Sequence, residues 1–190
     1  MNNKVCIIAE AGVNHNGDIE LAKQLIKVAS EAGADYVKFQ SFKAESLVCK
    51  NAKKAEYQIR NTGKDDAQFE MLKRLELSRD SHFELQKACN EEGIKFLSTP
   101  FDLDSLNLIL TLDMDFIKIP SGEITHWPFL NAVGASSKPV ILSTGMSFME
   151  EVRQATEVLY SAGLNRNNLT VLHCNTEYPT PMEDVNLRAM

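Results

Sequence analysis

Nothing in the sequence approaches the roughly 20 consecutive apolar residues a membrane span requires, and no leader of the secretory kind precedes the first strand-like run. The expectation is a cytoplasmic protein with no membrane partner. The four cysteines, Cys6, Cys49, Cys89 and Cys174, are scattered with no C-x-x-C pair, so they are expected to be free thiols in a reducing compartment. Basic residues are too few for nucleic acid: 20 Lys and Arg stand against 26 Asp and Glu, a net charge of −6, and phosphate-backbone binding needs a concentrated basic surface. No G-x-G-x-x-G follows the first apolar run, which removes the main support for a dinucleotide-binding sheet. None of the four histidines pairs with another at metal-ligand spacing. Low-complexity segments and fixed-period repeats are absent too. What remains, 44% hydrophobic and 24% charged, is ordinary for a globular α/β enzyme domain.

Six short apolar runs each end in polar residues that can do chemistry, and a helical stretch usually follows. Expected strands are Val5–Ala9, Asp35–Gln40, Ile94–Ser98, Phe116–Ile119, Val140–Ser143 and Leu169–Cys174. Asp18 is placed to cap a helix over IELAKQLIKVASEAG that ends at Gly33. Further helices are expected over Ala67–Leu75, over Ser81–Gly93 with Ser78 or Asp80 as cap, and from about Asp102. Two more are expected near Pro128–Ala135 and Met149–Ala162. The segment from about Ser41 to Asp66 is longer than an ordinary connection, and such loops are usually lids or disordered.

Repeated β-α units force a right-handed parallel arrangement. At about 30 residues per unit, eight units need roughly 250, the usual size of a (β/α)8 TIM barrel. The expected fold class is therefore α/β, a TIM barrel interrupted after about six units, with residues 1–190 as one incomplete barrel domain.

Active sites of such barrels lie where the C-terminal strand ends gather. Lys38 and Gln40 are two apart and share one strand face, with Val37 and Phe39 on the other. Lys118 likewise shares a face with Phe116 and Pro120, opposite Ile117 and Ile119. A lysine in an apolar strand is costly unless its charge is paired. An anion between the two lysines explains both. The plain alternative is two structural ion pairs, Lys38 with Glu10 and Lys118 with Glu123. Ser121-Gly122-Glu123 and Ser143-Thr144-Gly145 repeat a hydroxyl-plus-glycine pattern in adjacent units, which next to Lys118 suggests a phosphate cradle. His15 in NHNG is either a turn residue or a metal ligand, with the turn preferred. His173 is read as an orienting donor, and His82 and His126 as solvated residues that open helices. Lys50, Lys53 and Lys54 form a solvated face that in a lid can attract anions.

Seven blocks in order carry a resemblance: IAEAGVNHNGD, VKFQSFKA, KAEYQIRNTG, FLSTPFD, KIPSGE, ILSTGM and LHCNTEYPTPMEDVNL. Over about Lys4 to Met190 the chain resembles the bacterial sialic acid synthases. The resemblance implies condensation of phosphoenolpyruvate with an N-acetylated hexosamine, N-acetylmannosamine for N-acetylneuraminate, with release of phosphate. It implies that Lys118, Ser121 and Ser143 hold the phosphate, helped near Asn175 and Thr176, and that Lys38 and Thr99 meet the carboxylate. Gln40 and Tyr178 are then sugar contacts, and Glu10 and Glu123 the catalytic groups that handle protons and water. A divalent cofactor, Mn²⁺ or Mg²⁺, is implied to polarise the sugar aldehyde.

The family's metal-binding histidines and its C-terminal antifreeze-like domain, which acts across a homodimer, correspond to nothing in these residues. Some relatives also carry Asn where this chain has Thr176. The expectation is that the chain alone is weakly stable and inactive. Three other readings stand: an N,N'-diacetyllegionaminate synthase of the same family, a Schiff-base aldolase using Lys118, and a truncated product that keeps only an anion site.

Overall fold

A computed structural model describes residues 5–48 and 68–190. Cys49, the Lys50, Lys53 and Lys54 run, the KAEYQIRNTG block and most of the expected long connection lie outside the described residues. The chain divides into two compact units, Met1–Ser98 and Thr99–Met190, and each is described by itself.

In the first unit β1 (Ile8–Gly12), β2 (Tyr36–Ser41) and β3 (Lys95–Pro100, whose last two residues fall in the second unit) form a sheet in the order β1-β2-β3. β1 and β2 are parallel, with Glu10 opposite Lys38, and the register slips between Glu10 and Gly12 so that Gly12 faces Phe39. Among the described residues the helices that accompany them are α1 (Ile19–Glu31), α2 (Ala44–Leu47), α3 (Gln68–Leu75) and α4 (Arg79–Glu91). α1 starts where Asp18 accepts from the N–H groups of Glu20 and Leu21, and it buries Ala22, Ile26 and Ala29, a stripe at helical spacing. α4 starts at Ser78, which accepts from the Ser81 N–H, and buries His82, Leu85 and Cys89. Val37 and Phe39 fill the buried face of β2, where Phe39 stacks on Phe96 at 5.9 Å.

β1 begins three residues later than the apolar run VCIIA suggests, and Glu10, expected past its end, lies inside it. The cause is local. The Asp35 carboxylate accepts from the Ile7 N–H at 2.9 Å, while the Ile7 carbonyl receives the N–H groups of Asp35 and Tyr36, so ladder pairing starts only at Ile8. Val5 is left 73% exposed.

The second unit holds α5 (Leu103–Ile109), β4 (Ile117–Ile119), α6 (Trp127–Ala135), β5 (Val140–Ser143), α7 (Met149–Ser161) and β6 (Leu169–Leu172). The strands are parallel in the order β4-β5-β6. Ile117 and Ile119 are fully buried and flank Lys118, the alternation expected of this strand. β6 stops two residues short of Cys174, because the Thr144 hydroxyl donates to the Leu172 carbonyl at 2.7 Å and ends the ladder. α6 and α7 meet backbone to backbone at Gly134, where an added Cβ would lie 2.6 Å from the Leu159 carbonyl oxygen. Among the described residues no helix is long and apolar enough to cross a membrane.

Candidate functional site

In the first unit, the β1–β2 register sets Glu10 beside Lys38. Their carboxylate and ammonium groups lie 2.5 Å apart, with the lysine 13% and the glutamate 54% exposed. Gly12 turns the chain at φ 53°, a conformation that favours glycine, and a Cβ there would meet Glu10 Oε1 at 3.2 Å and Gln40 Nε2 at 3.6 Å. Glu10, Lys38 and Gln40 thus gather around one tight turn at the strand ends. The Lys38–Glu10 pair weighed from the sequence is present.

The second unit builds a different cluster. Lys118 Nζ donates to Ser143 Oγ at 2.5 Å and to the Ile119 carbonyl at 2.8 Å. The Gly145 N–H donates to Ser121 Oγ at 2.9 Å, so the two hydroxyl-glycine turns foreseen in the sequence touch each other. The glycine that matters for space is Gly145: a Cβ there would lie 2.9 Å from Ser121 Oγ, 2.9 Å from Thr176 Cγ2 and 3.1 Å from the Asn175 carbonyl carbon. Gly122 has nothing comparable within 4 Å. Lysine, two hydroxyls and backbone N–H groups thus come together at the ends of β4, β5 and β6, a donor-rich arrangement suited to an oxyanion.

Cys174 stands in this cluster, unforeseen. Its Sγ accepts from the Thr144 N–H at 3.3 Å and lies 3.9 Å from Ser121 Oγ. Burial pushes its thiol pKa up, but hydrogen bonds from Ser143, the Thr144 N–H, Ser121 and the Gly145 N–H outweigh that and hold it below the usual value. Cys89 shows the contrast, since burial alone pushes it up to about 12. Both, with Cys6, are free thiols. Nothing in a lone cysteine after LTVLH signals this role; it arises from the turns of two other units.

The remaining expected residues are placed as follows. Thr99 is buried near the end of β3. Asn175 Nδ2 donates to Asp184 at 3.0 Å, and its Oδ1 accepts from the Glu177 N–H, so its amide is engaged within its own loop. Tyr178 is 78% exposed and precedes a cis proline. Glu123 bonds His126 at 2.6 Å, whereas the sequence suggested Lys118 as its structural partner.

His82 is not solvated, as expected, but buried. Its Nε2 lies 2.6 Å from Ser41 Oγ, which in turn lies 2.6 Å from Ser98 Oγ. Two signals pointed there: His82 shares a helical stripe with Leu85 and Cys89, and Ser41 continues the Val37–Phe39 alternation. His126 is half-buried and paired, again not solvated. His15 is a turn residue, fully buried: its Nδ1 accepts from the Gly17 N–H, and its Nε2 has no partner among the described residues. His173 accepts from the Asn186 N–H through Nε2 at 3.0 Å.

An open depression of about 380 Å³ lies at the N-terminal ends of β1 to β3, lined by residues such as Cys6, Asp35 and Lys95, and contains none of the expected site residues. Among the described residues no three His, Cys, Asp or Glu side chains gather as a ligand set. The described residues therefore supply no complete ligand set of their own for the implied divalent metal.

Comparison with known proteins decides the family. The family model described as NeuB matches residues 25–190. The chain belongs to the NeuB family. It is 52% identical to the N,N'-diacetyllegionaminic acid synthase of Campylobacter jejuni, over 98% of this chain and 56% of that protein. It is 49% identical to the protein of the same description from Legionella pneumophila, over 97% of this chain and 52% of that protein. A solved structure of N-acetylneuraminic acid synthetase from Leptospira borgpetersenii, in complex with citrate, superposes with a TM-score of 0.82 at 30% identity, covering 99% of this chain and 60% of its own. The chain spans about half the length of the curated NeuB-family relatives it matches. Its strand–helix units are of the expected parallel α/β barrel class.

Proposed function

We propose that this chain is the phosphoenolpyruvate-binding portion of a NeuB-family synthase, which joins phosphoenolpyruvate to an N-acetylated hexosamine and releases phosphate. The observation that carries the reading is the meeting of Lys118, Ser143, Ser121 and the Gly145 N–H at adjacent strand ends. Held there, a phosphate monoester receives one ammonium, two hydroxyls and backbone N–H donors, all positioned before it arrives. Lys38 and Thr99 take the substrate carboxylate, Asn175 and Thr176 border the phosphate, and Gln40 and Tyr178 contact the sugar. Carbon 3 of the enol phosphate forms a bond to the aldehyde carbon. Water then adds at carbon 2, and the carbon–oxygen bond to phosphate breaks. Glu123 and Glu10 are the groups that accept and return the protons of the water and the new hydroxyl. The family resemblance supports a cytoplasmic homodimer as the working form.

The first acceptor proposed is N-acetylmannosamine, giving N-acetylneuraminate. A second reading has a specific support: the relatives at 52% and 49% identity are both described as N,N'-diacetyllegionaminic acid synthases. The test is phosphate release from phosphoenolpyruvate with each acceptor, in the presence of Mn²⁺ or Mg²⁺. Release that depends on the sugar is expected, and the preferred acceptor separates the two readings. Absence of release with every acceptor overturns the proposal. A borohydride-stable pyruvate adduct on Lys118 would instead favour the aldolase.

A further inference from the structure

Glu123 closes a 3₁₀ turn, Ser121–Glu123, directly after the cradle residue Ser121. Its carboxylate is 15% exposed and lies 2.6 Å from His126 Nδ1. A carboxylate oxygen can only accept, so Nδ1 carries the proton and the imidazole tautomer is fixed. The ring is itself held: it stacks on the fully buried Phe129 at 5.7 Å between centroids and 19° between planes. His126 also stands at the N-cap of α6, yet its side chain makes no capping bond. Its polar atom is committed to Glu123 and not to the helix it opens. The bond engages Oε2; Oε1 is the second oxygen of the same carboxylate.

We infer that His126 is a positioning residue, which fixes the rotamer of Glu123 so that Oε1 faces the reacting water. The inference rests on the proposed role of Glu123. A side chain that lacks this hold samples several rotamers, and misplacement of a catalytic group by about 1 Å can cost orders of magnitude in rate. The function belongs to the donor at the δ position, so asparagine, whose amide nitrogen reaches the same place, preserves it. Glutamine, which reaches the ε position, and alanine do not.

The experiment compares His126→Asn, His126→Gln, His126→Ala and Glu123→Gln in the protein expressed from its complete coding sequence, by phosphate release and thermal unfolding. His126→Ala and His126→Gln are expected to lose about tenfold in kcat with KM for phosphoenolpyruvate within about twofold of wild type. His126→Asn is expected to keep more than about half of kcat, and Glu123→Gln to lose about 100-fold or more. The inference is overturned if His126→Ala retains wild-type kcat, or if all three His126 variants fall together in parallel with Tm, as a purely structural contact predicts. Wild-type kcat in Glu123→Gln removes the proton-transfer role of Glu123 and the positioning role with it. Absence of phosphate release by the wild-type protein overturns the proposed function and this inference together.

Discussion

The two clusters at the strand ends are made of different materials. Around Gly12 the first unit sets one full charge against another, Lys38 against Glu10, through the tips of long side chains. Around Gly145 the second unit gathers the Lys118 ammonium, held by Ser143 and the Ile119 carbonyl, with short hydroxyls, a thiol and backbone N–H groups whose positions follow from the backbone. Long charged tips reorient at little cost and are screened where water reaches them. Donors fixed by a turn are already aimed, and preorganised donors contribute most to holding a developing anion. The first cluster is therefore an opposed pair of full charges, and the second a lysine among donors set by turns.

The sharpest break of this comparison is to remove each lysine. Lys118→Met is expected to weaken the use of phosphoenolpyruvate by about 100-fold or more, read as kcat/KM in phosphate release. Lys38→Met is expected to cost about tenfold, since Glu10 already offsets part of that charge. Equal losses would end the distinction. Alanine at the two glycines comes next. Gly145→Ala drives a methyl group against Ser121 and Thr176, so an increase of about tenfold in KM for phosphoenolpyruvate is expected. Gly12→Ala meets only the movable ends of Glu10 and Gln40, and its expected cost is about 1 kcal/mol of stability from the left-handed backbone, with KM nearly unchanged. A reversed pattern, with Gly12 controlling KM, would contradict it.

The smallest effect concerns acid. The two buried histidines both lie in the first unit, where burial, then the charge of His82, hold the His15 pKa below its usual value. Burial, and to a lesser extent Lys43, likewise hold His82 down, against the opposing hydrogen bond to Ser78. Above the ordinary value of 6.5 both are neutral, folded or unfolded, and nothing is lost. As pH falls below it the unfolded chain takes up protons that the folded chain refuses, so stability declines until the lowered folded values are reached. Urea midpoints should therefore drop between pH 7.5 and pH 5, with a shallower drop in His15→Gln. Identical midpoints at both values would remove the claim.

Much of the architecture could be read from residue order. β5 has its expected bounds, Asp18 caps its helix as expected, and of the two candidates Ser78 and Asp80 it is Ser78 that caps; the helix expected from about Asp102 opens at Leu103. The pairing of hydroxyl-glycine turns pointed to Ser121 and Ser143. What escaped was set by contacts between segments distant in sequence. The Asp35 carboxylate delays β1, the Thr144 hydroxyl ends β6 early, and Cys174 acquires its partners from two other turns. The Glu123–His126 contact is local, at three residues' separation, but Lys118, on the strand that leads into the same turn, is the stronger charge by sequence alone.

Gly134 bears on how the sequence can vary. With a carbonyl oxygen 2.6 Å and an alanine methyl 2.7 Å from where any Cβ must go, the permitted alphabet at that position has one letter. Drift across α6 and α7 is then coupled: a larger residue at 134 becomes accessible only after the two helices have separated, which no single exchange achieves. The blank side chain is as binding a constraint on future versions of this chain as any of its charged ones.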